Sequence, residues 1–202
     1  MVKRGVMVNQ PTLQLEQAQK LESTKFQLDR SDIPNEIVAS DSQDLVNEDI
    51  DDEQVTLPRC IRLNLDNLKS YETVHNQFKR LGIIFHNCLA IQPSNPAFPR
   101  HSGINLLMGS PKSGLLEVTF VRPVNWVSAL VTSSQRLVIY AYDEEDKLLN
   151  ESVLPTANIV NSGSDIPPNT MLSVSANYIK KVCFCAFDGH FTLDEFKFCF
   201  ST

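Results

Sequence analysis

The fold class is decided by residues 115–142, which read LLEVTFVRPVNWVSALVTSSQRLVIYAY. From Leu116 onward, apolar side chains first alternate with mostly polar ones, as in a β-strand that buries one face. The ranges Val124–Thr132 and Leu137–Tyr142 are then almost continuously apolar or β-branched, which is typical of central strands. The short segment 133–135 between them predicts a tight hairpin.

The same kinds of pattern recur on both sides of this segment. They occupy Ile61–Leu65, Gly82–His86, Leu148–Leu154, Met171–Val174, Tyr178–Phe187 and Phe196–Phe200. Turn-forming residues separate these runs at short intervals and leave no room for a crossover helix. The sequence therefore predicts eight to ten antiparallel strands in a sandwich or barrel, and it excludes a parallel α/β sheet.

Charge divides the 202-residue chain into two parts. Residues 1–57 hold five basic and twelve acidic residues and only one aromatic residue, Phe26. Such a composition buries too little apolar surface to offset the entropy of ordering, so we expect a largely disordered acidic arm. Residues 58–202 hold nearly all the aromatic residues and enough apolar ones for one core. The predicted domains are therefore an arm, 1–57, and a β-sandwich, 58–202.

One helix is predicted in the arm, over residues 12–28. Its apolar positions fall at helical spacing and would form a thin stripe for docking on a partner protein: Leu15, Ala18, Leu21 and Leu28. An isolated helix of this length is marginal in water, so a transient helix in a linker is the alternative. Residues 41–53 form an acidic linker in either case.

The same composition argues against several classes of partner and predicts a location in the cell. Clustered lysine and arginine residues are absent, which argues against nucleic acid and against an anionic membrane surface. No apolar run has the length of a membrane span, and none before Pro11 has the length of a secretory signal. The five cysteines show no framework spacing. We therefore expect a cytoplasmic protein with free, buried thiols.

Two of these cysteines, Cys183 and Cys185, lie two residues apart in an apolar run and would share one face of a strand. We interpret them as core residues. The alternative is a transition-metal site with His190, Cys88 or His86, for which a second Cys pair is missing.

Six segments of the body together resemble a known group of domains. They are Leu65–Leu68, Tyr71, Leu81–Phe85, Phe120–Val124, Ala141–Asp143 and Ala186–Phe196. In this order they are similar to the jelly-roll, galactose-binding-like domains of bacterial PEP-CTERM-type proteins and of cyanobacterial proteins of unassigned function. The resemblance covers about residues 60–200. The chain differs from that pattern at Asn64, where an aromatic residue is usual, and in the cysteines of its last strands.

The resemblance implies an all-β, antiparallel jelly-roll β-sandwich, here with an N-terminal acidic extension. It also implies one structural calcium ion and a glycan-binding role, both of which are frequent in such domains. Because the first and last strands of such domains are neighbours, the implied calcium ligands are Asp66, Asn67, Asp194 and Glu195. The alternative is that Asp66 and Asp194 cap local turns through backbone hydrogen bonds.

A proline-rich loop, residues 93–102, is the best candidate for a ligand site. Sugar sites combine aromatic side chains with amides and charged groups on loops, and this loop offers Asn95, Phe98, Arg100 and His101. Long loops between strands are often functional. The alternative is a structural cover over one end of the sandwich.

No motif in the sequence predicts catalysis. A nucleophile elbow, a phosphate loop and a zinc-protease motif are all missing. Our main hypothesis is thus a non-catalytic interaction module, an intracellular adaptor that binds another protein through its arm. The alternative is a carbohydrate-binding-like module with a structural calcium ion, and an enzyme comes last.

Overall fold

The computed structural model describes the backbone of residues 36–39, the side chain of Val38 among them, and residues 60–200 in full. All of these belong to one compact unit, Pro34–Thr202. The predicted helix 12–28 and the acidic stretch 41–53 lie outside the described residues. The prediction of a domain boundary at residue 57 stays untested.

The described residues form eleven β-strands and one short 3₁₀ turn, Lys79–Leu81. The strands are β1 (Glu36–Ala39), β2 (Cys60–Leu63), β3 (Thr73–Val74), β4 (Ile83–His86), β5 (Cys88–Ile91), β6 (Leu106–Gly109), β7 (Leu115–Ser133), β8 (Leu137–Tyr142), β9 (Leu148–Leu154), β10 (Thr170–Cys185) and β11 (Phe191–Phe200). The predicted all-β architecture is confirmed. Within the described part of the chain, no helix is long and apolar enough to cross a membrane.

The long strand β7 organises the sheet. It pairs with β10 along one side, while its other side pairs first with β4 and then with β11. The change of partner falls between Phe120, opposite β4, and Val124, opposite β11. Pro123 lies in this interval, where the absence of its N–H costs no hydrogen bond of the ladder. The strand therefore continues through Pro123, and the two apolar runs on either side of it form one strand.

The remaining strands extend the sheet on both sides of this centre. Beyond β10 come β8 and β9, and β11 joins both β6, which leads to β5 and β3, and β2, which leads to β1. Every pair is antiparallel except β1 with β2. Register shifts in β10, between Ser175 and Lys181, mark bulges that let the long strands bend.

The core lies between two layers of this bent sheet. Phe85 of β4 and Phe196 of β11 have ring centroids 5.6 Å apart, although their strands do not pair with each other. Phe120 and Phe198 also have ring centroids 5.6 Å apart, although β7 pairs with β4 at Phe120 and Phe198 lies opposite Val127, seven residues further along β7. Rings from segments that do not pair with each other meet in this way when the sheet bends so that two layers face each other. This is the antiparallel β-sandwich expected from the sequence.

The prediction of five free thiols is wrong. Cys60 in β2 and Cys199 in β11 form a disulfide bond across directly paired positions of the two strands. Because the two cysteines are 139 residues apart in sequence, local cysteine spacing does not predict that they pair. Disulfides persist in oxidising environments, so the support that free thiols gave to a cytoplasmic location is removed.

The remaining cysteines are free, and two of them lie outside the core. Cys88 is fully buried, but Cys183 and Cys185 are half-buried on the outer face of β10. They alternate there with Val182 and Phe184, which are completely buried. The two thiols share a face as expected, but their assignment to the core is wrong, because β10 turns the intervening residues inward.

Candidate functional site

A cleft of about 240 Å³ opens where β2, β11 and the loop before β6 meet. Its wall is formed by residues 62–66, 102–103, 105 and 194–195, and Val38 of β1 closes one side. The lining is mostly polar. Three of the four residues implied as calcium ligands, Asp66, Asp194 and Glu195, lie in this wall.

Asp194 ties the loop to β11. Its Oδ2 accepts hydrogen bonds from the backbone N–H groups of His101 (2.9 Å) and Ser102 (3.0 Å). Its Oδ1 accepts from the hydroxyl of Ser102 (2.8 Å) and from the N–H of Glu195 (2.7 Å). The residue is only 2% exposed, and these four donors compensate its buried charge. A carboxylate offers about four acceptor positions, so this one is fully used within the protein.

Asp66 holds the same loop at Ile104, on the other side of Gly103 in the sequence. Its Oδ1 accepts a hydrogen bond from the N–H of Ile104, at 2.9 Å. Gly103 allows this approach, because an ideal Cβ there would lie 2.5 Å from that oxygen. The φ angle of Gly103 is also +60°, a conformation that favours glycine. The bonds of Asp66 and Asp194 to the loop join residues far apart in sequence, unlike the local turn caps considered from the sequence.

Glu195 is placed by a bulge in β11. The register of β11 with β7 shifts after Asp194, and Glu195 has a φ of +46°. Its Oε1 lies 3.0 Å from Nδ1 of His101 and 3.9 Å from Nη1 of Arg62, and its Oε2 lies 3.7 Å from Nζ of Lys197. A positive φ at a non-glycine residue costs about 1–3 kcal/mol and often accompanies a functional site. The bulge thus directs the Glu195 carboxylate towards the cleft, where it lies among three basic groups.

Asn105 lines the cleft and has one buried atom without a hydrogen-bond partner in the described structure. Its Nδ2 donates to the carbonyl groups of Leu65 (3.1 Å), Leu68 (2.9 Å) and, more weakly, Asp66 (3.3 Å). Since these partners only accept, the orientation of the amide is fixed. The residue is 1% exposed, and its Oδ1 has no hydrogen-bond partner in the described structure. Leaving such an acceptor unpaired costs about 1–3 kcal/mol.

The calcium prediction fits this donor set only in part. Asn67 is exposed and does not line the cleft, and every acceptor position of Asp194 is already occupied. Glu195 faces basic groups, which a calcium ion would have to displace or oppose. Within the described residues, no three His, Cys, Asp or Glu side chains are grouped to hold a metal ion. A structural calcium ion stays a prediction.

The residues predicted for a ligand site are spread along the proline-rich loop. Asn95 accepts the N–H of Ala97 through its side chain and so stabilises a turn. Phe98 is half-buried, Arg100 is exposed, and His101 contacts Glu195 at the rim of the cleft. Only His101 is thus brought next to the cleft. The predicted docking residues Leu15, Ala18, Leu21 and Leu28 lie outside the described part of the chain.

Three residues of the cleft are not predicted as site residues from the sequence: Arg62, Ser102 and Asn105. Arg62 alternates with apolar neighbours in β2 and reads as an ordinary solvent-facing strand residue. The only local signal for Asn105 is its position between Ile104 and the apolar pair that follows, where a polar side chain at a strand entrance has to be satisfied or functional.

Comparison with known proteins assigns no family. No protein-family model and no curated protein matches the chain. The solved structures that are similar to the chain include the following three. TmCBM61 in complex with β-1,4-galactotriose has 12% identity and a TM-score of 0.36, over 65% of this chain and 99% of that one. A DUF4465 family protein from Bacteroides caccae has 12% identity and a TM-score of 0.34, over 59% and 74%.

The third similar structure is an arabinose-bound MgGH51 α-L-arabinofuranosidase, with 14% identity and a TM-score of 0.36 over 64% of this chain and 25% of that one. At these TM-scores the likenesses assign neither a family nor a ligand to this chain. The resemblance to PEP-CTERM-type and cyanobacterial domains stays a prediction, since no family model supports it.

Proposed function

We propose that the chain is a non-catalytic binding module that takes one unit of a neutral saccharide into the cleft beside Asn105. The observation that carries this proposal is the buried Oδ1 of Asn105, an acceptor without a partner in the wall of a polar cleft. A hydroxyl group that donates to it, after a small opening of the wall, would recover the cost of its burial.

The charges of the cleft favour a neutral polyol over an ion. Asp66, Asp194 and Glu195 oppose an anion, while Arg62 and the nearby Lys197 oppose a cation. A sugar hydroxyl both donates and accepts, so it can pair with a carboxylate and with a guanidinium group at once. A volume of about 240 Å³ suits a single sugar ring better than a long chain buried along its length.

A catalytic role is not part of the proposal. A general acid or base needs a carboxyl group that is free to exchange a proton with the substrate. Asp194 uses its oxygens to hold the loop, and Glu195 is engaged by His101. These bonds favour positioning over proton transfer.

The adaptor hypothesis takes second place. It rests on residues 12–28, which lie outside the described structure, and no contact within residues 60–200 favours it over ligand binding in the cleft. Affinity capture with the intact chain and with a chain in which Leu15 and Leu21 are replaced by Ser would test it separately.

Calorimetric titration tests the saccharide proposal. Galactose, arabinose, glucose and their short oligosaccharides are titrated into the wild-type chain, into Arg62→Ala and into Arg136→Ala. Arg136 lies in the exposed β7–β8 turn, away from the cleft, and serves as the matched control. We expect one sugar to bind, Arg62→Ala to weaken it about tenfold, or ~1.4 kcal/mol, and Arg136→Ala to leave it unchanged.

Two outcomes would count against the proposal: no heat with any sugar in the panel, or equal losses in the two arginine variants. Sugar-induced changes in the amide NMR signals of residues 62–66 and 102–105 would locate the binding independently of the variants.

A further inference from the structure

The outer edge of β2 is filled by a short strand from the same chain. On its inner side, β2 pairs antiparallel with β11, and the Cys60–Cys199 disulfide locks the two strands together. Ile61 and Leu63 of β2 are buried in the core. β2 is therefore a fixed part of the sandwich, and its other edge presents backbone groups to whatever strand lies beside it.

β1 is a short strand at the edge of the sheet. It is four residues long and runs parallel to β2, with Val38 opposite Arg62. Among the described strands it pairs with β2 alone. Parallel pairing is slightly weaker per residue than antiparallel pairing, and the Val38 side chain remains 50% exposed. The strand is thus much easier to detach than β2.

The chain between β1 and β2 is long enough for β1 to pair with β2 of its own molecule or with β2 of a neighbouring molecule. Residues 40–59 separate them, and twenty residues reach up to about 70 Å when fully extended. A domain of this size has a diameter of only about 40 Å. A segment on such a tether competes for the edge at an effective concentration that a second copy can match at high protein concentration.

We propose that β1 is exchanged between two copies of this chain, so that residues 36–39 of one copy pair with β2 of the other. The occupant is a second copy because its segment reproduces every contact of the intramolecular pair, including Val38 opposite Arg62. In the exchanged dimer each copy supplies Val38 to the wall of the other's cleft. The exchange does not depend on the proposed saccharide binding.

Cross-linking of two different cysteine variants tests the exchange. Full-length Val38→Cys and full-length Arg62→Cys chains are mixed, equilibrated over a range of concentrations and mildly oxidised. The product is digested without reduction and analysed by mass spectrometry. A peptide that joins residue 38 to residue 62 has to come from two chains, which separates it from any reshuffling of native thiols. We expect this peptide, and we expect its share to rise with chain concentration.

Three controls make the result decisive. The double variant Val38→Cys/Arg62→Cys should cross-link within one chain even at low concentration. Ile37→Pro, added to the Val38→Cys chain, removes a backbone donor of β1 and should abolish the link. Val121→Cys replaces an apolar residue of similar exposure, 54%, and should give no link to residue 62.

The proposal is overturned if the double variant links within the chain while the mixture gives no joined peptide at any concentration. It is also overturned if Val121→Cys links as readily as Val38→Cys, or if neither form of the 38–62 pair links at all. Thermal melting of each variant establishes that it is folded before it is mixed.

Discussion

At the scale of single residues, the cleft depends on a loop that two carboxylates hold before and after Gly103. Asp194 binds residues 101 and 102, and Asp66 binds residue 104, so the loop is held on both sides of Gly103. The polar groups that would meet a ligand are therefore preorganised, and the cost of ordering them is met by folding rather than by binding.

Gly103→Ala should destabilise the protein more than a substitution at any open glycine. The alanine would have to adopt a φ of +60°, and its Cβ would collide with Oδ1 of Asp66. Gly163→Ala is the control, because Gly163 has a φ of +76° with nothing near its Cβ position. Urea unfolding should give a loss of about 1 kcal/mol for the control, from backbone strain alone, and at least about 2 kcal/mol for Gly103→Ala. Equal losses would mean that the contact with Asp66 is not tight.

Part of this residue-level arrangement is predictable from sequence. The resemblance brings Asp66 near Asp194 and Glu195 because first and last strands are neighbours in such domains, and the structure places all three in one cleft wall. The unpaired oxygen of Asn105 is not predictable from sequence. The amide is oriented by its nitrogen, which donates to backbone carbonyls of residues about 40 positions away. No local pattern encodes a contact of that range.

At the scale of single elements, the alternation of buried and half-buried side chains along β10 determines the environment of its two thiols, Cys183 and Cys185. Burial, and to a lesser extent the neighbouring Cys185, raise the pKa of Cys183 from an ordinary 9.0 to about 12. The folded thiol keeps its proton where the unfolded thiol loses it. This contribution to stability is fully present below pH 9 and is lost as the pH rises towards 12.

Alkylation measures this effect. Because only the thiolate reacts, iodoacetamide at pH 9 should label Cys183 far more slowly in the folded chain than in urea, and the folded rate should keep rising beyond pH 10. Peptide mass spectrometry follows the site, and Cys183→Ser identifies its peptide. A folded rate that levels off near pH 9 would contradict the expected shift.

Long strands are predicted well by sequence and short ones poorly. The strands β7, β8 and β10 are long enough for their apolar pattern to be recognised. The pattern is interrupted by Pro123 within β7 and by the Ser175–Lys181 bulges within β10, although both strands are continuous. Of the strands with four residues, β2 and β4 are recognised from their apolar pattern, whereas β1, β5 and β6 are not, because four residues are too few to establish a period on their own. Their strand conformation comes from the partners beside them, which sequence alone does not reveal.

At the scale of the whole molecule, the disulfide closes the sandwich by joining β2 to β11. It connects residues 139 positions apart, so it restricts nearly the entire described chain when that chain unfolds. In the chain-entropy account, a loop of that length corresponds to about 4–5 kcal/mol.

Removing this bond should lower the stability of the domain strongly. The double variant Cys60→Ser/Cys199→Ser should lose about 2–5 kcal/mol in urea unfolding, while the control Cys183→Ser/Cys185→Ser should lose much less. The wild-type chain, unfolded without reductant, should show three reactive thiols, since Cys88, Cys183 and Cys185 are free. Five reactive thiols would contradict the disulfide.

The position of β11 in chain order has a consequence for biosynthesis. This strand joins β7, β6 and β2, yet it follows all three along the polypeptide. Until residue 200 has left the ribosome, the half-made sheet exposes its unpaired strands, and no earlier segment can substitute for the missing one. The pairing of β2, β6 and β7 with β11 is therefore delayed until the final strand arrives.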